Sequence, residues 1–121
     1  MNHTPARRFS VGHNGEITLS HCADIALEPD EQVTFTSESG TEFDVVCKAW
    51  GYYATPSLNG RLPAHGLRPA LVRSGDKTYV LLVAREAEPA FRDYLNDQRM
   101  EIICWLDGPV ESYLQDTGQP K

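Results

Sequence analysis

Residues 78–106 read "TYVLLVAREAEPAFRDYLNDQRMEIICWL". Thr78–Arg85 is apolar on both faces that a strand would present. Tyr79, Leu81 and Val83 share one face, and Val80, Leu82 and Ala84 the other. Such a run belongs in the middle of a sheet, with a second layer over its outer face. Glu86–Arg99 then changes period. Ala87, Ala90, Phe91, Tyr94 and Leu95 fall on one helical stripe, and Arg92, Asp93, Asp97 and Gln98 fall largely outside it. Pro89 costs little in a first turn, where its missing N–H has no helical partner, and Glu86 and Glu88 complement the positive helix end. The main helix is expected at about residues 88–98, packed on a sheet face. Met100–Leu106 is a last strand, closed by Asp107-Gly108-Pro109.

Upstream, "EFDVVCKAW" (Glu42–Trp50) alternates Phe43, Val45, Cys47 and Ala49 against Asp44, Val46, Lys48 and Trp50. It predicts a half-buried strand, in an antiparallel hairpin with Gln32–Thr36 across a turn at Gly40. A short strand over Gly15–Ser20 follows the turn residues "HNG". Leu67–Arg73 reads as a strand, with Pro69 confining it to an edge or placing the proline at a strand start. Strands and helices intermix without a regular βαβ repeat. The expected class is α+β: a mostly antiparallel sheet of about five to seven strands, one main helix, and one short helix at about residues 56–60. Residues 1–10 are expected to form a flexible arm, 11–110 a single domain, and 111–121 a tail that is at least partly flexible.

The 121 residues carry a formal charge of −6, which disfavours nucleic-acid backbones as partners. No apolar run has the length of a membrane span, and no apolar region follows the two N-terminal arginines, so a cytoplasmic home is expected. Three cysteines, odd in number and far apart, do not suggest a disulfide framework. No metal-ligand spacing occurs, and no glycine-rich phosphate loop or cofactor motif is present.

The charge is unevenly spread. Residues 51–85 hold five Lys or Arg against Asp76 alone, whereas both flanking regions are acidic. At the head of this basic island stands "WGYYATPSLNGRLPAHGLR" (Trp50–Arg68). Thr55 suits a helix N-cap and Pro56 the first helical position, which would start the short helix there. Trp50, Tyr52 and Tyr53 offer an aromatic wall, Thr55, Ser57 and Asn59 offer hydrogen-bonding groups, and Arg61 and Arg68 offer planar forks for carboxylate or phosphate. Together with His65 they form the expected ligand-binding set. The leading expectation is a non-catalytic domain that binds a polar or anionic small molecule, or a protein partner, through this segment. One alternative is a small enzyme acting on an anionic substrate with His65 as general acid or base. Another is a homodimeric interaction protein, since strands apolar on both faces need cover.

Overall fold

The structure, a computed structural model, describes residues 7–117. It is an α+β fold of eight strands in three antiparallel sheets. The first sheet is a hairpin of β1 (Arg7–Val11) and β2 (Ile17–His21). The second runs β3 (Gln32–Thr36), β4 (Glu42–Lys48), β5 (Gly51–Ala54) in chain order. The third places β6 (Leu67–Ser74) between β7 (Lys77–Ala84) and β8 (Glu101–Trp105). Helix α1 (Arg61–Ala64) precedes β6, α2 (Glu88–Gln98) joins β7 to β8 after a 3-10 turn over Arg85–Ala87, and α3 (Val110–Thr117) follows β8.

The core sits on one face of the third sheet. Ala70, Val72, Val83 and Leu95 are buried, and Leu81, Phe91, Met100, Ile102 and Trp105 pack around them. Phe91 meets Trp105 in a tilted pair with centroids 5.9 Å apart, a geometry aromatic quadrupoles favour. On the other face α1 packs on β6. Leu62, Leu67 and Pro69 are all buried there.

The expected hairpin of Gln32–Thr36 with the following strand is present, in a register that sets Val33 opposite Val45 and Phe35 opposite Phe43. Several expectations need correction. Thr78–Arg85 is not in the sheet's middle: β7 is an edge, with Val80 56% exposed, and the central strand is β6. Pro69 therefore stands in a central strand. An antiparallel residue points its N–H and C=O at the same neighbour, and the Pro69 carbonyl accepts from Leu106 N–H at 2.8 Å. The missing donor thus falls on the β8 side, just where β8 has ended at Trp105, so a single terminal ladder bond is lost.

The short helix begins at Arg61 rather than near residue 56. Thr55 donates its N–H to the Asp44 carbonyl at 3.1 Å and so prolongs the sheet. Ser57 organises the turn instead. Its Oγ accepts from Arg61 N–H at 3.1 Å, and its carbonyl accepts from Leu62 N–H at 3.0 Å. Pro63 is tolerated because the first-turn N–H groups of a helix have no internal partner. Of the arm expected over residues 1–10, residues 1–6 lie outside the described residues, while Arg7–Ser10 pair in β1, with Phe9 opposite Leu19. Of the tail, residues up to Thr117 are helical in α3 and 118–121 lie outside the described residues.

Gln98 was expected on the outer face of α2 but is buried. It lies seven residues, about two turns, beyond Phe91 and so shares its face. Its Oε1 accepts from His13 N–H at 2.6 Å, tying the β1–β2 turn to the end of α2. The helix stops on Arg99, which takes a left-handed conformation (φ 59°) while Met100 N–H bonds to the Leu95 carbonyl at 2.9 Å. A side chain at that position carries a steric cost that glycine lacks. Arg99→Gly is expected to raise the stability by about 0.5–1 kcal/mol, read as an increased urea midpoint with an unchanged slope.

Candidate functional site

The segment Trp50–Arg68 is distributed over three places. The first is the β4–β5 hairpin. Lys48 pairs with Gly51 across a two-residue turn of Ala49 and Trp50, so the indole stands at the tip and is 70% exposed. Tyr52 pairs with Cys47 and Tyr53 with Val46. Adjacent strand residues point to opposite faces, so the two tyrosines flank the strand. Tyr52 is 68% exposed and Tyr53 44%. The Trp50 and Tyr53 rings stack, centroids 6.2 Å apart and planes within 17°. Lys48, on the same face as Tyr53, is ion-paired with Asp30, and that contact raises the Lys48 pKa above its ordinary value.

The second place is centred on Asp44, next but one to Val46 on the Tyr53 face. Its carboxylate accepts from Thr34 Oγ1 at 2.6 Å, from Thr55 Oγ1 at 3.4 Å and from Arg61 Nη2 at 3.3 Å. The hydrogen bond from Thr34 does most to hold Asp44 below the usual carboxylate range. Partial desolvation opposes it, and Thr55, Arg61 and His65 add to it. His65 is half-buried, and its ring makes no hydrogen bond or ion pair among the described residues. Its backbone N–H closes α1 on the carbonyls of Arg61 and Leu62. Thr55 is thus a carboxylate partner and Ser57 a turn former, and Asn59 is exposed in the turn between them and α1.

The third place holds Arg68, on the core face of β6. Its Nε donates to Asp107 Oδ2 at 2.8 Å and its Nη2 to Oδ1 at 3.4 Å, and Nη1 stands 3.8 Å from Glu88. The guanidinium also lies over the Trp105 ring, 3.9 Å from its centroid. Arg68 therefore joins β6, α2 and the β8–α3 turn, away from the aromatic tip. That turn is held from the other side by Tyr113, whose hydroxyl donates to the Trp105 carbonyl and accepts from Gly108 N–H.

The arrangement neutralises much of the basic island. Arg61 pairs with Asp44, Arg68 with Asp107, and Arg73 with Glu101 at 2.6 Å. These carboxylates were not singled out in the sequence. Asp44 was read only as a member of a predicted strand and Asp107 only as part of a closing turn, and neither pattern marks an arginine partner. Two cavities lie elsewhere. A groove of about 400 Å³ runs between β7 and α2, lined by Leu81, Val83, Ala87, Ala90, Phe91 and Tyr94. A second, of about 360 Å³, lies between the His13 turn, the β6–β7 turn and the end of α2. Among the described residues no group of His, Cys, Asp and Glu could hold a metal, and no helix is long and apolar enough to cross a membrane. Compared with known protein families, curated proteins and solved structures, the chain matches none.

The Arg68 hydrogen bond is also the main reason the Asp107 pKa lies below the usual carboxylate range. The folded pKa is then lower than the unfolded one, so unfolding takes up a proton as the pH falls. The stabilisation is complete above about pH 4 and is lost as the pH drops through the depressed value. Asp107→Asn is expected to lower stability at pH 7 and to flatten its decline below about pH 4. Arg68→Lys, which keeps the charge but loses the fork and the stacking, is expected to cost about 1.5–3 kcal/mol. Urea titrations from neutral to acid pH measure both.

Proposed function

We propose that this chain is a cytoplasmic, non-catalytic recognition domain that binds a protein partner through the β4–β5 hairpin, with Trp50, Tyr52 and Tyr53 as anchors. The observation that carries this reading is the exposure of three neighbouring aromatics, 70%, 68% and 44%, at the tip and on the edge strand of this hairpin. Large rings at a surface are the residues from which binding energy is most often drawn, because they bury much area and lose few rotamers. The stacked Trp50–Tyr53 pair is already ordered before a partner arrives, which lowers the entropy lost on binding. The outer edge of β5 leaves backbone groups for an added strand, whose alternate side chains would meet Tyr53 and Tyr52 on the two faces. The odd number and wide spacing of the cysteines support a reducing compartment.

The pairing of Arg61 and Arg68 with carboxylates weighs against the small-anion reading. The Arg68 fork is held by Asp107 through two nitrogens, Arg61 gives one nitrogen to Asp44, and the two arginines belong to different clusters. The catalytic reading draws on His65 alone. Its electrostatic reach to Asp44 gives it no substrate-facing partner and no nucleophile to activate.

Selection of a displayed random-peptide library against the full chain is expected to enrich extended, β-forming peptides. Their affinity for a Trp50→Ala, Tyr53→Ala variant is expected to fall at least about tenfold, since truncating a hot-spot aromatic commonly costs 2 kcal/mol or more. The thermal midpoint is expected to stay close to that of the wild type. Peptides that bind both proteins equally would sink this reading, as would a selection that enriches none.

A further inference from the structure

We propose that the cavity between the first hairpin, the β6–β7 turn and the end of α2 binds the phosphate group of a small organic phosphate. The site is separate from the β4–β5 hairpin, so the inference stands apart from the partner-binding reading. The third sheet builds most of it. Ser74 pairs with Lys77 and Val72 with Tyr79 across the β6–β7 hairpin, and residues paired in an antiparallel ladder share a face. Ser74, Lys77 and Tyr79 thus continue the face that holds the core residues Val72 and Leu81. α2, which packs on that face, ends at Gln98. Beyond its end the same face turns polar, and the His13 turn closes the space from the other side, leaving a cavity of about 360 Å³.

Five polar side chains line this cavity: His13, Ser74, Lys77, Tyr79 and Gln98. Gln98 is the most informative, because the residue is only 6% exposed. Its Oε1 is taken by His13 N–H, while its Nε2 donates to no group among the described residues. No buried side-chain nitrogen or oxygen among them is sealed off without a partner, so this NH2 group opens onto the cavity that Gln98 lines. A largely buried donor without a partner costs free energy, and a ligand acceptor removes that cost. The His13 ring, the hydroxyls of Ser74 and Tyr79 and the Lys77 ammonium likewise make no hydrogen bond or ion pair among the described residues.

The chemistry of the lining selects an anion. Lys77 and the free NH2 group of Gln98 only donate, His13, Ser74 and Tyr79 can each donate, and no Asp or Glu lines the cavity. Asp76 precedes Lys77 in the turn but is not in the lining. Carbonyls at a helix C-terminus repel anions, and those at the end of α2 are engaged: Asn96 accepts from Arg99 N–H at 3.3 Å and Leu95 from Met100 N–H at 2.9 Å. The geometry favours phosphate over carboxylate. A carboxylate offers two coplanar oxygens, which an arginine fork matches, and the cavity has no arginine. Its donors come instead from three separate elements, and a tetrahedral group with three terminal oxygens can meet His13, Lys77 and Gln98 together. Lysine serves phosphate as a point charge. The cavity has the size of a small-molecule site rather than of a bare anion, and the Tyr79 ring and Met100 supply an apolar wall for the rest of the ligand.

Heteronuclear NMR titration of the full chain at constant ionic strength tests this, with inorganic phosphate and glycerol phosphate as probes and acetate and chloride as controls. Phosphate is expected to shift the Gln98 side-chain NH2 signals and the His13 and Lys77 backbone signals saturably, with a Kd on the order of millimolar. Glycerol phosphate is expected to bind at least as tightly. Lys77→Ala is expected to weaken phosphate binding about tenfold and Tyr79→Phe about threefold. Gln98→Glu keeps an oxygen for His13 N–H but replaces the free donor by a charged acceptor, and is expected to abolish binding. Lys77 and Tyr79 are exposed, so their substitutions carry the test even if Gln98→Glu disturbs the fold. The absence of a saturable shift at the cavity signals overturns the proposal. So does a response to acetate or chloride equal to that to phosphate, glycerol phosphate binding more weakly than phosphate, or phosphate binding that Lys77→Ala and Tyr79→Phe both leave unchanged.

Discussion

The structure depends on the burial of β6 from both sides. Ala70 and Val72 have no exposed surface. They lie under Leu95 and the rings of Phe91 and Trp105 on one face, while α1 packs on β6 and Leu62, Leu67 and Pro69 are buried. Among the described residues no other strand has as many buried positions. In a chain of this size the surface is large relative to the core, and the few fully buried side chains carry much of the stabilisation. The elements that enclose β6 are also those that set the rest: α2 ends where Gln98 reaches the first hairpin, and α1 places Arg61 against the second sheet.

Charge pairing follows the same geometry. The basic residues between 51 and 85 answer acidic residues contributed by β4, α2, β8 and the turn after it. Arg61 reaches Asp44 across a gap of seventeen residues in sequence, and Arg68 reaches Asp107 across thirty-nine. The apparent anion-binding island is largely a set of internal ion pairs between sequence-distant segments. Surface pairs of this kind add little stability each, but the Arg68 pair is shielded and shares its guanidinium with an aromatic face. Of the remaining cations of the segment, Arg85 adds to the field that holds the Asp107 pKa low, and Lys77 begins the edge strand β7.

The legible parts of the fold were those with a strong local period. The Gln32–Thr36 and Glu42–Lys48 hairpin and the helix over 88–98 follow from alternation and from a 3.6-residue stripe, and both are where those patterns place them. The missed parts have local signals that were ambiguous or outweighed. β5 is only "GYYA", too short for a period, although two tyrosines in a row favour strand. β1 alternates Phe9 and Val11 among polar residues near a chain end. Apolarity on both faces of Thr78–Arg85 was read as central burial, yet β6 pairs with β8 on its other side and leaves β7 at the edge, a long-range choice that no local pattern contains. Thr55-Pro56 carries sound helix-start chemistry, but the β4 carboxylate at Asp44 holds Thr55 in the sheet, and no local rule contains that contact. The aromatics of the candidate site were legible as an unusual cluster, though not as exposed. Their separation from Arg68 was not, because it arises from which face of β6 that arginine occupies.

The first hairpin shows how far a single buried polar contact can organise such a molecule. Every residue of β1 is exposed, and β2 is little better covered. A two-stranded hairpin of this kind is marginal on its own in water. Gln98 supplies its anchor: the side-chain oxygen takes the His13 N–H, and the approach is close enough that a Cβ at Gly12 would stand 2.5 Å from that oxygen. Gly12 also has φ 85°, a conformation that costs other residues energy. The glycine and the glutamine thus form one device, in which the absent side chain at the turn makes room for the amide that holds it. Because the amide sits at the last turn of α2, the hairpin's attachment is coupled to the register of that helix on β6. Opening of the hairpin would expose Gln98 without disturbing Ala70 or Val72, so this end of the molecule unfolds locally at lower cost than the core.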